Sequence, residues 1–213
     1  MSKLAIIGAG NVGGALGANW AGKGHDIFFG VRDPKAEKTQ GLLAKIGGKA
    51  RAGSPAEAAA FADVIVLSTP WPATEAIVRS LGNLKGMIVL DATNPLTRGP
   101  DGISLEIGHT TSAGEKVQSW AAGASVYKTL NTTGFANMAN PAFNGIKSIM
   151  FVAGDDAANK PKVIDLVAEL GFDVVDAGPL RNARLLEAHA MLWIDLSLAR
   201  GLGPGWAFAR LKR

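Results

Sequence analysis

The residues with the clearest chemical meaning stand at the start of the chain. Gly8-Ala9-Gly10-Asn11-Val12-Gly13 follows directly on the apolar run Lys3 to Ile7, and a small-residue stretch, Gly14 to Ala21, comes next. In that setting the first glycine makes a tight turn, the second lets backbone approach a diphosphate, and the third lets a helix pack closely on the strand. The start of such a helix offers N–H groups and a partial positive charge to phosphate oxygens. A second apolar run, Asp26 to Val31, ends at Arg32. An acid in this region bonds the ribose 2′-hydroxyl of NAD, whereas an arginine suits a 2′-phosphate and can stack on adenine. Arg32 therefore points to NADP(H). Asp33 has two readings, as a ribose ligand or as the N-cap of the next helix with Pro34 at its first position, and the second is preferred. Lys35 adds charge beside them or is simply solvated.

The elements that must position these groups alternate along the chain. Ser54-Pro55-Ala56-Glu57 is a capping box that opens a helix toward Phe61. Asp63 to Ser68 reads as a buried strand, Pro70 to Leu81 as a helix and Gly86 to Asp91 as a strand. A long polar stretch, Asn94 to Thr111, precedes a second capping box at Ser112 to Glu115 and a helix that includes Trp120. Ser125 to Lys128 is a short strand. Leu130 to Phe143 is loop-like, with a helical piece near Ala136 to Met138. Ser148 to Ala153 and Phe172 to Asp176 read as strands on either side of a helix from Asp155 to Leu170. A long helix from Arg181 to Arg200 carries Leu185, Leu192 and Leu196 at helical spacing, and Gly201 to Gly205 ends it. The pattern predicts an α/β fold: a Rossmann, doubly wound, mostly parallel sheet over residues 1–128, with a small C-terminal α/β extension, 129–213, packed on it.

In such sheets ligands sit outside the carboxyl ends of the strands, where strand order reverses. That rule selects Ser68, Thr69, Pro70 and Trp71, then Asn94 and Pro95, then Asn131, as cofactor-lining residues alongside Gly8, Gly10, Asn11, Val12, Gly13, Arg32, Asp33 and Lys35. Thr132, Gly134 and Phe135, with His189 and Trp193 from the last helix, are the candidates for the side of a redox acceptor. Ordinary turn chemistry would give the same small polar residues at any one of these strand ends.

No side chain presents itself as a proton donor. His25 lies in a turn at the wrong edge of the sheet, His109 in the polar stretch, and His189 in the stripe of Leu185, Leu192 and Leu196. A core or cleft-wall role suits His189 best. There is no metal-binding spacing and no GxSxG. Carbonyl reduction needs an acid near the oxygen. Hydride exchange between a nicotinamide and a flavin-like ring needs chiefly two faces held together, and apolar walls such as Trp71, Phe135, Met138, Met191 and Trp193 would serve.

Composition narrows the field further. The 213 residues carry a net charge of +4 and no cysteine. Thiol catalysis, iron–sulfur clusters and cysteine-ligated zinc are excluded, and a reducing compartment, the cytoplasm, is expected. The first strand starts at once, so no signal peptide is expected, and no apolar run is long enough to span a bilayer. Lys and Arg are scattered apart from Arg210, Lys212 and Arg213, which argues against a nucleic-acid partner. A homodimer is compatible with the sequence.

The chain resembles the NADP oxidoreductases that depend on the deazaflavin coenzyme F420. The resemblance rests on Gly8 to Gly13, on Gly30-Val31-Arg32-Asp33-Pro34, on Asp91-Ala92-Thr93-Asn94-Pro95-Leu96, and on Ala177 to Glu187. It extends to the NADPH-binding domain of the six-transmembrane epithelial antigen of the prostate metalloreductases. The likeness implies Gly8 to Gly13 on the diphosphate, Arg32 on the 2′-phosphate, and Thr69-Pro70, Asn94-Pro95 and Asn131-Thr132 around nicotinamide and acceptor. It implies F420, FMN or FAD as acceptor, lying between the Rossmann edge and the helix after Gly178. His189 departs from that family's pattern. Rival readings are an imine or pyrroline-carboxylate reductase, which usually builds a larger helical C-terminal region, and a catalytically silent NADP(H) sensor.

Overall fold

The computed structural model describes residues 1–100, 102–211 and 213. Lys212, in the short basic tail, lies outside the described residues. The first half of the chain runs β1 (Lys3–Ile7), α1 (Asn11–Gly22), β2 (Asp26–Gly30), α2 (Glu37–Ile46), β3 (Ala50–Gly53), α3 (Pro55–Phe61), β4 (Val64–Leu67), α4 (Trp71–Ser80) and β5 (Ile88–Asp91). A hairpin, β6 (Leu96–Gly99) and β7 (Gly102–Leu105), leads to α5 (Ala113–Trp120) and β8 (Ser125–Lys128). Then come α6 (Phe135–Ala139), the short pair β9 (Ala142–Phe143) and β10 (Ile146–Lys147), β11 (Ile149–Gly154), α7 (Lys160–Ala168), β12 (Asp173–Asp176) and α8 (Ala183–Ile194).

Eight strands form one sheet in the order β12-β11-β8-β5-β4-β1-β2-β3. From β3 to β8 every pair is parallel, and the order is that of a doubly wound nucleotide-binding sheet. Parallel strands covered on both faces read as unbroken apolar runs. β1 shows how the faces divide: Leu4 and Ile6 join Leu16 and Trp20 of α1 on one side, and Ala5 and Ile7 join Ala58 of α3 and Val78 of α4 on the other. β11 runs antiparallel to β8 and meets it only through Ala153↔Lys128 and Gly154↔Tyr127. The earlier part of β11 therefore overhangs the carboxyl edge of the sheet, beside the loop after β8, where the Thr132 hydroxyl reaches Met150 Sδ at 3.5 Å. No helix among the described residues is long and apolar enough to cross a membrane.

Several elements differ from what the sequence leads one to expect. β3 is an edge strand, Ala-Arg-Ala-Gly, held by pairing with β2 and not by its own apolarity. The stretch from Asn94 to Thr111 contains the β6–β7 hairpin. α7 starts at Lys160, not near Asp155, because the Asp156 carboxylate accepts from the N–H groups of Ala158 and Asn159 and makes a turn there. The helix from Arg181 to Arg200 is three pieces: a 3-10 turn at Leu180–Asn182, α8, and a wider π turn at Asp195–Ala199. On α8 the predicted apolar stripe faces outward, with Leu185 66% and Leu192 50% exposed. The buried stripe is Ala183, Leu186, Glu187, Ala190 and Trp193.

α1 can lie close on the sheet because Gly17 has no side chain. A Cβ there would stand 2.4 Å from Phe29 Cζ and 3.0 Å from Ile6 Cδ1. Gly17→Ala gains about 1 kcal/mol of helix propensity but overpacks the core at a cost of about 1–3 kcal/mol. We expect a net loss of up to about 2 kcal/mol in urea unfolding. A stabilised variant would contradict this packing.

Candidate functional site

The carboxyl ends of β1, β2, β4 and β5 open into a cleft of about 1070 Å³ at the point where strand order reverses, between β1 and β4. Its lining includes Gly8, Gly10, Asn11 and Val12 from the β1–α1 turn, Arg32 past β2, Ser68 to Trp71 past β4, and Asn94 past β5. All were expected from the sequence. Pro55 at the start of α3 and Ala73, Ala76 and Ile77 of α4 complete a largely apolar wall.

The turn is built by close backbone approach. Gly8 has a φ of 108°, which suits glycine alone, and its N–H donates to Gly30 O at 2.9 Å. The Ser68 hydroxyl donates toward Ile7 O and Gly8 O, at 3.1 Å each, and clamps the turn to the end of β4. Gly13 lies outside the lining but is indispensable to it, since a Cβ there would sit 2.0 Å from Gly8 O. Gly10 is the N-cap of α1. No side chain caps the helix, its first turn has no acid, and a Cβ on Gly10 would meet nothing within 4 Å. The helix start is thus a set of N–H donors facing open cleft.

Among the described residues Arg32 is the single charged side chain in the cleft lining, and no carboxylate lines it. It is exposed and makes no salt bridge among the described residues. Asp33 does not cap α2. Its Oδ1 accepts from Lys35 N–H at 2.9 Å in a local turn, and α2 begins only at Glu37, after Ala36. This occupies one oxygen of Asp33. Lys35 is exposed and stands outside the lining, as Asp33 does.

Asn131 and Pro95 of the expected cofactor lining, and the residues expected on the acceptor side, are less open. Asn131 and Thr132 are buried. Gly134 is the seat of Trp193, whose ring would lie 2.6 Å from a Cβ on it. Trp193 is itself buried, donates from Nε1 to Trp206 O at 3.1 Å and stacks on Trp206. These are packing contacts beneath the loop after β8. Pro95 accepts from Glu106 N–H at 2.7 Å and anchors the β6–β7 hairpin. Phe135 is 46% exposed and lines a separate groove of about 630 Å³ beside Gly10 and Asn11. His189 sits between Phe151 and Phe208, at ring distances of 5.5 and 4.4 Å, with Nε2 buried and without a partner among the described residues. Burial pushes its imidazole below the ordinary value. His25 is structural: Nδ1 accepts from Ser2 N–H and Nε2 lies 2.6 Å from Glu169.

The sequence reading passed over a buried charge cluster directly under these loops. Lys128, Asp91 and Glu187 are all buried and in contact. The available signal was an Asp and a Lys at matching ends of two apolar strands, β5 and β8, which pair as Asp91↔Lys128. At α5 the second capping box is half formed. Ser112 accepts from Glu115 N–H, while the Glu115 carboxylate takes the Ser112 hydroxyl and turns to Arg184 of α8.

Six parallel strands in this order, a glycine turn at the head of α1 and an open cleft at the reversal define a Rossmann-type dinucleotide-binding fold. Residues 3–95 match the family described as NADP oxidoreductase, coenzyme F420-dependent. The chain is 31% identical to an Arthrobacter sp. FB24 protein assigned as an F420-dependent NADP reductase, whose crystal structure superposes with a TM-score of 0.90 over 100% of both chains. It is 26% identical to the F420-dependent NADP reductase of Methanothermobacter marburgensis, over 92% of each. It is also 26% identical to the rat metalloreductase STEAP3, over 87% of this chain but only 36% of that protein. The chain belongs to the F420-dependent NADP oxidoreductase family, a family of NADP-dependent oxidoreductases.

The α5–α8 bridge gives a pH test. The Arg184 guanidinium, bonded at 2.6 and 2.9 Å, holds the Glu115 carboxyl below the usual carboxylate range. A folded-state value below the unfolded one stabilises the fold above the unfolded value, and that contribution is lost as pH falls through the folded one. Arg184→Ala should therefore lower the unfolding midpoint at neutral pH and match wild type in acid, once Glu115 is protonated. A midpoint difference that persists undiminished in acid would contradict the pairing.

Proposed function

We propose that the chain passes hydride between NADP(H) and a deazaflavin or flavin acceptor, with F420 the leading candidate. The observation that carries this reading is the cleft itself: an uncapped helix start and, among the described lining residues, one guanidinium, Arg32, and no carboxylate. That donor set fits a dinucleotide with an extra phosphate on its adenosine ribose. The first turn of α1 would take the diphosphate, and Arg32 the 2′-phosphate. The bound nucleotide supplies a hydride equivalent to the acceptor ring. The protein's part is to hold the two rings in contact and keep water away. Trp71, which packs on Trp120 at 5.4 Å, and the apolar face of α4 are the walls suited to that. The relatives named for F420 support that acceptor, and the likeness to a metalloreductase keeps flavins in view. A chain free of cysteine suits the cytoplasm.

Two substitutions separate ligand binding from folding. Gly10→Ala meets no protein atom, so stability should stay within about 0.5 kcal/mol of wild type, while the new methyl stands where a diphosphate would approach. NADPH affinity should fall at least about tenfold, or about 1.4 kcal/mol, by calorimetric titration. Unchanged affinity would remove the diphosphate from this turn.

Arg32→Ala should weaken NADPH by about tenfold to a hundredfold, as expected for a charge-assisted bond to phosphate, and leave NADH almost untouched. Equal losses for both would contradict the assignment. Loss of NADPH absorbance with F420, FMN or FAD tests the reaction. Tight NADPH binding with no oxidation by any of the three would favour a sensor.

A further inference from the structure

Lys128 is fully buried at the end of β8. Its Nζ donates to Asp91 Oδ2 at 2.8 Å and to Thr93 O at 2.7 Å, and lies 2.9 Å from Glu187 Oε1. Each ammonium hydrogen thus has an acceptor. Asp91 Oδ1 accepts from both the N–H and the hydroxyl of Thr93, at 2.9 and 2.7 Å. Glu187 accepts from Ala113 N–H and Gly114 N–H, at 2.9 and 3.0 Å, and so closes the start of α5. One cation against two carboxylates leaves negative charge, which the α5 N-terminus offsets. Burial works against the Lys128 ammonium, but its two carboxylate partners outweigh burial and keep it charged.

The three residues that follow are costly. Leu130 is fully buried with a φ of 59°. The Thr129 hydroxyl before it and Asn131 Oδ1 after it are buried without partners among the described residues. A segment with strain and unmet polar groups persists only where its surroundings over-determine it. Here both of its ends are gripped. Lys128 is held by the charge cluster. The Asn131 Nδ2 donates to Asn94 Oδ1 at 3.1 Å and to Leu186 O at 3.3 Å, and Asn94 Nδ2 donates back to Asn131 O at 2.9 Å. Leu186 and Glu187 are neighbours, so one turn of α8 holds both ends. Thr93 and Asn94 are the members of this assembly that line the cleft, and both stand within three residues of Asp91.

A buried ion triad is weak evidence for stability, since well-packed apolar residues often do as well. What such a triad can do is hold one geometry. We propose that Lys128, Asp91 and Glu187 are positioning residues for the nicotinamide half of the cleft, fixing Asn94 against Asn131 so that this half is formed before any nucleotide binds. The adenosine half is left to α1 and Arg32. The inference rests on the NADP(H) reading above and deepens it.

The test compares NADP⁺ with 2′-phospho-ADP-ribose, the same molecule without nicotinamide, in calorimetric titrations of wild type, Glu187→Gln and Lys128→Met. Wild type should bind NADP⁺ more tightly than the fragment. In both variants that advantage should shrink by about tenfold, with the fragment's Kd within about twofold of wild type. A role in stability alone would move both ligands together or neither, and either result overturns the inference. So does a wild type with no preference for NADP⁺ over the fragment. If wild type binds neither ligand, the NADP(H) reading falls as well, which marks that failure apart. Lys128→Met strands two buried carboxylates and is the variant at risk of not folding; Glu187→Gln keeps the volume and the charge of Lys128. A third measurement needs no variant. Amide exchange at residues 129–131 of wild type should be slow without ligand and unchanged by NADP⁺, and protection gained only on binding overturns the claim of a preformed site.

Discussion

The close approach of Gly13 to the Gly8 carbonyl sets the rest of the structure. With no room for even a methyl group between them, α1 must begin directly at the end of β1 and aim its first N–H groups at the sheet's carboxyl edge. Gly8 takes a backbone conformation closed to other residues, and Ser68 fastens the turn to β4. The turn therefore sits at the reversal of strand order, where two diverging crossovers leave a crevice. An anion there would complete hydrogen bonding that the chain leaves undone at the head of α1.

The two halves of the crevice are held in different ways. On the β2 side a single guanidinium is free in solvent and the local turn at Asp33 is self-contained. On the β5 and β8 side most polar groups are paired with each other, through the Asn94–Asn131 pair above a buried cluster of Lys128, Asp91 and Glu187. The C-terminal extension takes part in that second half. α8 supplies Glu187 and the Leu186 carbonyl, and β11 overhangs the edge beside the loop after β8. Family membership accounts for the nucleotide side of this division. Phe135 is exposed beside Gly10 and Asn11, in a groove apart from the cleft.

Much of this was legible in the residues because buried parallel strands are continuous apolar runs and the glycine turn has few alternatives. The β1–α1–β2 unit, the Ser54–Glu57 capping box and the strand-end loops after β4 and β5 all fall where the sequence places them. β3 was hidden because its stability lies in pairing with β2, which four residues of Ala, Arg and Gly do not advertise. α8 misled because it is apolar on two sides. Leu185 and Leu192 mark one stripe, but the buried one contains Glu187, which enters the core only because Lys128 is already there. For the same reason Trp193 reads as a ligand-facing aromatic and is in fact a support under Gly134.

Binding of NADP(H) in this cleft requires a guanidinium to meet the adenosine 2′-phosphate at the head of a glycine-cradled helix. Phosphorus NMR of protein-bound NADP⁺ as a function of pH reads this directly. A nearby Arg32 favours the doubly charged phosphate, so the 2′-phosphate should titrate well below its ordinary value of about 6, and the diphosphate signals should shift on binding. A 2′-phosphate that titrates as it does in free solution would contradict the account.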